Sequence, residues 1–412
     1  MGTISNFLLA AAANRFNRHR SRISNHLLEY VSTGKNLIVC GGRNDAEHSK
    51  AYDVKCQILA RIIADAMEQS KPGIFVYSDP ALTEELHEAY ENHAQAVFFG
   101  VNTTYQVFDR NLSFQDAYDL LSDAVEAYSG WLKVESRPLL TMLQFLMTIL
   151  YDHLEQDCFT FHNLCVLVDH LVQRPGAAAA DTTYTGEKEF LDWVQRATGK
   201  RPSNFIQNEL SVEWEELLKL FYPFWLALDR QLGALRAPNG NGASRSLLSC
   251  MLRGKTCICF LPPNRSQLLQ ACLFGELALL AEENVSFDFN SFQVNLDGCK
   301  RNSVLDYDQC HCCLIGDSLR AMGLSDLSIS DPQIVCLGLS MASDARELLE
   351  SVVATKRQTD VQFSPGRTGS VSFGKVQQKP LVEDDFMLRN ILDGQAYLLD
   401  SAGYRFVHNI LV

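Results

Sequence analysis

The sequence predicts an α/β fold in which a mainly parallel sheet is interrupted by an all-helical insert. Near the N-terminus, short apolar runs alternate with amphipathic stretches, the pattern of strands joined by crossover helices. From about residue 112 to 235 no strand pattern occurs. Strand patterns return after residue 245. The two strand-rich segments therefore belong to one sheet, and the segment between them forms a separate helical core.

The first segment follows a basic helix predicted over residues 3–32. The run NLIVC (36–40) is a buried strand, and residues 51–68 form a helix with one apolar face. Predicted strands follow at GIFVYSD (73–79) and QAVFFGV (95–101), with a helix over 80–92 between them. Strand, helix, strand, helix and strand at this spacing indicate parallel pairing.

The middle segment has helical periodicity. Its predicted helices cover residues 137–156, 160–173, 188–199 and 211–236. All four tryptophans (Trp131, Trp193, Trp214 and Trp225) fall in this segment, which favours a core of its own.

The last segment contains four predicted strands, at 255–262, 291–297, 309–316 and 333–340, with helices over 266–284 and 342–356 and a closing hairpin over 394–412. In the run SFQVNLD (291–297) Gln293 and Asn295 alternate with apolar residues, which favours an edge or half-exposed strand. The expected organisation is a basic N-terminal helix (1–34), the first part of the α/β domain (35–110), the helical insert (111–240) and the second part of the α/β domain (245–412).

Composition excludes several classes of protein. A 47% hydrophobic and 21% charged content is typical of a globular chain, and no apolar run is long enough to span a membrane. Thirteen cysteines at irregular spacing favour free thiols in a reducing compartment. The net charge of −13 argues against a body that wraps nucleic acid. Residues 1–35 are nevertheless basic, and either a solvated helix face or contact with DNA, a membrane surface or an acidic partner fits this charge.

The segment from Gly42 to Ser49 has the spacing of a phosphate-binding loop, G-x-x-x-x-G-K-[ST], between a strand and a helix. The first glycine and the final hydroxyl are present, whereas Glu47 replaces the second glycine and His48 replaces the lysine. A carboxylate repels phosphate, and a neutral histidine does not replace a lysine cation. The motif alone does not distinguish a degenerate nucleotide site from an ordinary strand, Gly41–Gly42 turn and helix.

A second carboxylate ends the predicted strand 291–297. Asp297 suits a magnesium ligand, but the glutamate that would activate water is replaced by Gly298. The cluster CHCC (310–313) lacks the paired spacing of a zinc site, and adjacent residues of a strand point to opposite faces. We interpret it as a buried strand with small thiol side chains and expect no metal.

The order of these elements resembles one family, the type IV secretion and conjugation coupling proteins of the TraG/TraD kind, within the FtsK/HerA-type P-loop ATPases. The runs IVCLGLSMASDARELLESVV (334–353) and GSVSFGKVQQKPLVEDDFMLRNILDGQAYLLDSAGYRF (369–406) are similar to the closing part of that family, with Gly394, Gln395 and Ala396 at its glycine-led strand. The resemblance covers roughly residues 33–412 and implies a RecA-like P-loop sheet.

The resemblance implies a vestigial nucleotide site made of Gly41, Gly42, Glu47, His48, Ser49 and Asp297. Glu47, His48 and Gly298 depart from the family pattern, and the family's glutamine after the next strand falls near Asp317. We therefore expect no catalytic residue and no bound cofactor, with ATP and magnesium as the cofactors if the site still works.

The function implied is a scaffold or substrate adaptor in a secretion or conjugation apparatus, with protein partners bound by the helical insert. An active DNA- or protein-translocating ATPase, and a nucleic-acid binder that uses the basic N-terminal arm, remain alternatives. We expect a cytoplasmic protein, with a peripheral position at the inner face of the membrane and an oligomeric state both open.

Overall fold

The fold is described from a computed structural model. It describes residues 11–17, 20, 22–31, 35–42, 49–109, 112–153, 159–172, 213–238, 243–263, 266–296, 308–324, 332–348, 355–358, 361–364, 370–373, 377–380, 388–392, 394–400 and 403–410. The chain divides into two compact units. The first contains Met1–Ala96, Ser286–Gly298 and Asn302–Val412, and the second contains Val97–Val285 and Cys299–Arg301.

The first unit includes the helices α1 (Asn25–Val31), α2 (Lys50–Glu68), α3 (Ala81–Tyr90) and α10 (Ala342–Glu347). Its main strands are β1 (Leu37–Cys40), β2 (Gly73–Tyr77), β7 (Phe287–Phe292), β8 (Cys310–Gly316), β9 (Gln333–Cys336), β14 (Ala396–Asp400) and β15 (Gly403–Val407). They lie in the order β15-β14-β9-β1-β8-β7-β2.

Five neighbouring strands of this sheet, β9 to β2, are parallel, and the β14–β15 hairpin adds two antiparallel strands at one edge. This confirms the predicted fold class of a mainly parallel α/β sheet. The hairpin also confirms the turn predicted near residues 401–403, because Asp400 pairs with Gly403. Strands β1 and β2 are buried along their whole length, which explains their continuous apolar sequence.

The second unit contains β3 (Ala96–Phe99), β4 (Thr103–Tyr105), β5 (Ala243–Arg245) and β6 (Thr256–Phe260), in the order β6-β3-β4-β5. Its helices are α4 (Phe114–Leu132), α5 (Arg137–His153), α6 (Phe161–Val172), α7 (Glu213–Leu232), α8 (Leu247–Met251) and α9 (Gln267–Glu282). Among the described residues between 112 and 235 there is no strand, as the sequence predicted.

Aromatic side chains form the core of the helical segment. Trp225 is buried against Phe161 and Phe221, whereas Trp131 is 56% exposed. The predicted helix 188–199 lies outside the described residues. The second unit therefore combines the helices with four short strands, and the boundaries drawn at 111 and 240 stay predictions.

Four smaller strands lie in the C-terminal part of the first unit: β10 (Thr355–Gln358), β11 (Val361–Ser364), β12 (Ser370–Phe373) and β13 (Gln377–Pro380). They form two antiparallel pairs, β10 with β13 and β11 with β12. The predicted helix 342–356 is therefore wrong at its C-terminal end, because residues 355 and 356 belong to β10.

The prediction of one N-terminal helix over residues 3–32 is also wrong. Residues 11–16 are helical and α1 begins at Asn25, but the described residues between them are not helical. Helix continuity is lost where the segment contacts the rest of the first unit. The amide of Ile23 donates to Gln57 Oε1 at 2.9 Å, and that of Ser24 donates to the carbonyl of Ile410 at 2.8 Å.

The strand predicted over 291–297 is displaced. Strand β7 ends at Phe292, and Gln293 leaves the strand with a φ of +54°. Nor is β7 an edge strand, because it lies between β8 and β2. Its polar residues Asn290 and Ser291 are buried, 4% and 2% exposed. Beyond its end the predicted alternation does mark exposure, because Gln293 is half-buried and Asn295 is exposed.

Candidate functional site

The carboxyl ends of β9, β1 and β8 meet at the centre of the sheet in the first unit. In both neighbouring ladders Cys40 is the last residue of β1, opposite Gly316 of β8 and Cys336 of β9. From β1 the chain continues to strands on one side of β1, and from β8 it crosses β1 to reach β9 on the other side. Open α/β sheets bind ligands in the crevice at such a reversal. This edge is therefore the candidate site.

Two glycines lead the chain out of β1. Gly41 and Gly42 have φ values of +84° and +85°, in the region that favours glycine. Their amides donate to the carbonyls of Gly316 at 3.2 Å and of Gly338 at 2.8 Å, respectively. A methyl carbon placed on Gly41 would lie 2.2 Å from Gly338 O. The turn is thus fixed between the two neighbouring strands, and both glycine amides are already bonded to backbone.

Helix α2 begins directly after Ser49. Ser49 is its N-cap residue, with φ and ψ of −64° and 145°, and Oγ accepts a hydrogen bond from the Tyr52 amide at 3.1 Å. A phosphate loop needs this hydroxyl for magnesium. Here the hydroxyl oxygen is engaged by the helix that it caps.

Lys55 places a buried cation at this edge. It lies on α2 four residues after Ala51, and its side chain is fully buried. Side chains of a helix lean toward its N-terminus, so Lys55 extends back toward the glycine turn. A methyl carbon placed on Gly42 would lie 3.8 Å from Lys55 Nζ and 2.6 Å from Ala51 Cβ.

The partner of Lys55 is Asp317, the residue that follows β8. Lys55 Nζ donates to Asp317 Oδ1 in an ion pair whose aspartate side chain is 40% exposed. Isolated charges are costly to bury, and the pair offsets that cost. Sequence reasoning missed Lys55, although a lysine among the buried residues of an amphipathic helix was a visible signal.

A second aspartate orders the chain after β8. Asp344, in the first turn of α10, is 3% exposed, and its Oδ2 accepts from the Leu319 amide at 3.2 Å.

At the ends of β1 and β9, the buried thiols of Cys40 and Cys336 are hydrogen-bonded to each other. That bond and burial raise the pKa of Cys40 well above its usual value, so this thiol stays protonated at neutral pH.

Three residues before Lys55 on α2, Tyr52 joins the ends of β2 and β7. Its hydroxyl donates to Asp79 Oδ2 at 2.7 Å, and its ring packs edge-on to Phe292 with centroids 6.0 Å apart. Burial, followed by the nearby Cys56 thiol and the bond to Asp79, raises the pKa of Tyr52. Tyr52 is therefore a neutral side chain that connects α2 with the ends of β2 and β7.

Of the predicted site residues, the structure brings together Gly41, Gly42 and Ser49 at the start of α2. Glu47, His48 and Asp297 lie outside the described residues, as does Gly298. The residue that follows β7 is Gln293, whose amide donates to the carbonyl of Ile315 at 2.7 Å. The predicted boundary had placed an acidic residue at the end of the strand. No acidic residue directly follows β7.

The thiols of β8 are buried. Cys310, Cys312 and Cys313 are 3–5% exposed, and burial raises the pKa of Cys310 and Cys313 well above the usual value. No group of three metal-ligating side chains lies close enough to hold a metal within the part of the chain that the structure describes. These thiols pack as small apolar groups.

The basic N-terminal segment contacts the first unit through two of its arginines. Arg20 pairs with Glu85 of α3, has a side chain 9% exposed and lies 4.6 Å from the Phe16 ring centroid. Arg15 donates to the carbonyl of Glu88 at 3.0 Å. No helix among the described residues is both long and apolar enough to cross a membrane.

No protein-family model matches this sequence. No curated protein matches it either. Among solved structures, it is similar to TrwBdeltaN70, a bacterial conjugative coupling protein in an unbound monoclinic form. The TM-score is 0.51 at 10% identity, and the match covers 97% of this chain and 92% of the other. At this identity the likeness shows the fold, a mostly parallel P-loop-like α/β sheet with helices.

Proposed function

We propose that this chain is a coupling-protein-like domain that has lost ATP hydrolysis and acts as a scaffold or substrate adaptor in a type IV secretion or conjugative transfer apparatus. The observation that carries the proposal is the likeness to a conjugative coupling protein over 97% of the chain. The strand, glycine turn and helix at the carboxyl edge of the sheet support it.

Three contacts at that edge favour loss of catalysis. The Gly42 amide is bonded to Gly338, the Ser49 hydroxyl caps α2 and the Lys55 cation is paired with Asp317. The amide and the cation are groups of a kind that a nucleotide site leaves for phosphate, and the Ser49 hydroxyl gives one of its two lone pairs to its own helix. Together with Glu47, His48 and Gly298, which replace the usual glycine, lysine and glutamate, they favour a site that does not hydrolyse ATP.

The second candidate function is a working motor ATPase, and Lys55 is the observation that favours it. A lysine that reaches the glycine turn supplies the charge that His48 lacks. In that case Ser49 and Asp297 would be the magnesium-side residues, and partners would bind the helical segment of the second unit.

Calorimetry with magnesium and ATP separates the two functions. The scaffold proposal expects no heat of binding to the folded parent chain. Micromolar binding that is lost in both Ser49→Ala and Asp297→Ala would favour the motor, because the two substitutions remove the two magnesium-side residues. Circular dichroism of each variant ensures that lost binding does not result from unfolding.

A further inference from the structure

The Lys55–Asp317 pair unites two distant parts of the chain at the candidate site. The residues are 262 positions apart, and Asp317 directly follows Gly316, whose carbonyl accepts the Gly41 amide. The pair therefore lies beside the glycine turn, with the cation fully buried and the carboxylate 40% exposed. Asp317 is the solvent-facing member of the pair.

Stabilisation alone does not explain a buried ion pair at this position. Replacing a buried ion pair by apolar residues is often neutral or stabilising, so such a pair is weak evidence of a stabilising role. A lysine that leans back from α2 to the glycine turn has the position and charge of an anion-binding group. In this structure the lysine is paired with a carboxylate of the same chain.

We propose that Lys55 is a phosphate-binding cation at a new position in the chain. In this structure the carboxylate of Asp317 pairs with Lys55 in place of a phosphate. The ligand class is a phosphate or polyphosphate anion, which would bind only when Asp317 is neutralised or moved. The proposal rests on the proposed function, because it explains how an edge derived from a nucleotide site keeps its fold without a nucleotide.

The test is a gain of binding. Asp317→Asn keeps the size and hydrogen-bonding oxygen of the side chain but removes its charge, which leaves Lys55 without its anion. We expect pyrophosphate, titrated calorimetrically at low salt without magnesium, to bind Asp317→Asn at least about tenfold more tightly than the parent chain. The double variant Lys55→Met/Asp317→Asn should lose this gain.

Asp79→Asn is the matched control. It removes a carboxylate that follows β2, where the partners are the Tyr52 hydroxyl and the Ala81 amide rather than Lys55. General reduction of negative charge would raise anion affinity in both variants, whereas the proposal expects the gain in Asp317→Asn alone. Equal affinity of Asp317→Asn and the parent, or a gain that persists in the double variant, overturns the proposal.

If Asp317→Asn is not recovered as folded protein, a refolding experiment tests the proposal instead. Recovery of Asp317→Asn with pyrophosphate but not with equal ionic strength of chloride supports the proposal. Failure of pyrophosphate to rescue it, while Lys55→Met/Asp317→Asn folds without any anion, contradicts it. Failure of the proposed function is a separate outcome, because it would be detected as ATP turnover by the parent chain.

Discussion

The backbone amide of Gly42 donates to the carbonyl of Gly338 at 2.8 Å, which joins the turn after β1 to the end of β9. Gly41 approaches the same carbonyl so closely that any side chain would overlap it. The position at which a phosphate loop would begin is thus part of the backbone framework of the sheet.

Gly41→Ala is expected to destabilise the first unit by about 2–4 kcal/mol, because it adds left-handed backbone strain and steric overlap. Urea unfolding followed by circular dichroism measures the loss. Gly73→Ala is the control, since its added methyl would make only ordinary contacts of 3.6 Å and 3.7 Å with Asp288. Equal stability losses in the two variants would show that the turn does not require glycine.

The two members of the buried ion pair should differ in their effect on stability. Asp317→Asn should cost about 2–3 kcal/mol, because it leaves the fully buried Lys55 cation unpaired. Lys55→Met should cost less, about 1 kcal/mol or under, since the carboxylate left behind is partly solvated.

A double-mutant cycle with Lys55→Met/Asp317→Asn should give a coupling free energy of at least about 1 kcal/mol. Additive effects in urea unfolding would mean that the two side chains do not interact in solution.

Glu276 should make the stability of the second unit fall as pH rises. Its side chain is 1% exposed, and its two oxygens accept from the Tyr105 hydroxyl at 2.6 Å and the Leu248 amide at 2.7 Å. Burial raises the pKa of Glu276 well above its usual value, despite those two bonds.

The folded state therefore holds a proton that the unfolded state releases. This contribution to stability is complete below the unfolded pKa of about 4.3 and is lost as pH rises toward the folded pKa. We expect Glu276→Gln to flatten the decline in unfolding free energy between acidic and neutral pH. An unchanged slope in urea titrations at several pH values would contradict the assignment.

Arg20 should stabilise the first unit rather than bind a polyanion. Arg20→Ala is expected to cost about 1–2 kcal/mol, because it removes the pair with Glu85, the contact with Phe16 and buried side-chain methylenes. Arg22→Ala, at an exposed position, should change stability little. A large loss in Arg22→Ala, or none in Arg20→Ala, would contradict this division. Thermal unfolding of both variants measures it.

Local patterns predicted much of the fold. The apolar run before Gly41, the helix from residue 51 and the turn near 401–403 each depend on neighbours in sequence, so their elements were found correctly. Long-range contacts were not predictable in this way. Lys55 and Asp317 meet across 262 residues, and the N-terminal helix is broken where Ile23 bonds Gln57.

The predicted end of β7 was wrong for a related reason. Its buried Asn290 and Ser291 carry no local sign of burial, so the strand was placed too far along the chain, with Asp297 at its end. The role of Asp297 stays a prediction, as do those of Glu47 and His48.

Release of inorganic phosphate from magnesium and ATP by the folded parent chain distinguishes a domain that has lost hydrolysis from a working motor. We expect no release above that of a buffer blank, with or without added DNA. Steady turnover that Ser49→Ala and Asp297→Ala each abolish, while both variants stay folded, would contradict it and assign the chain to the working motors.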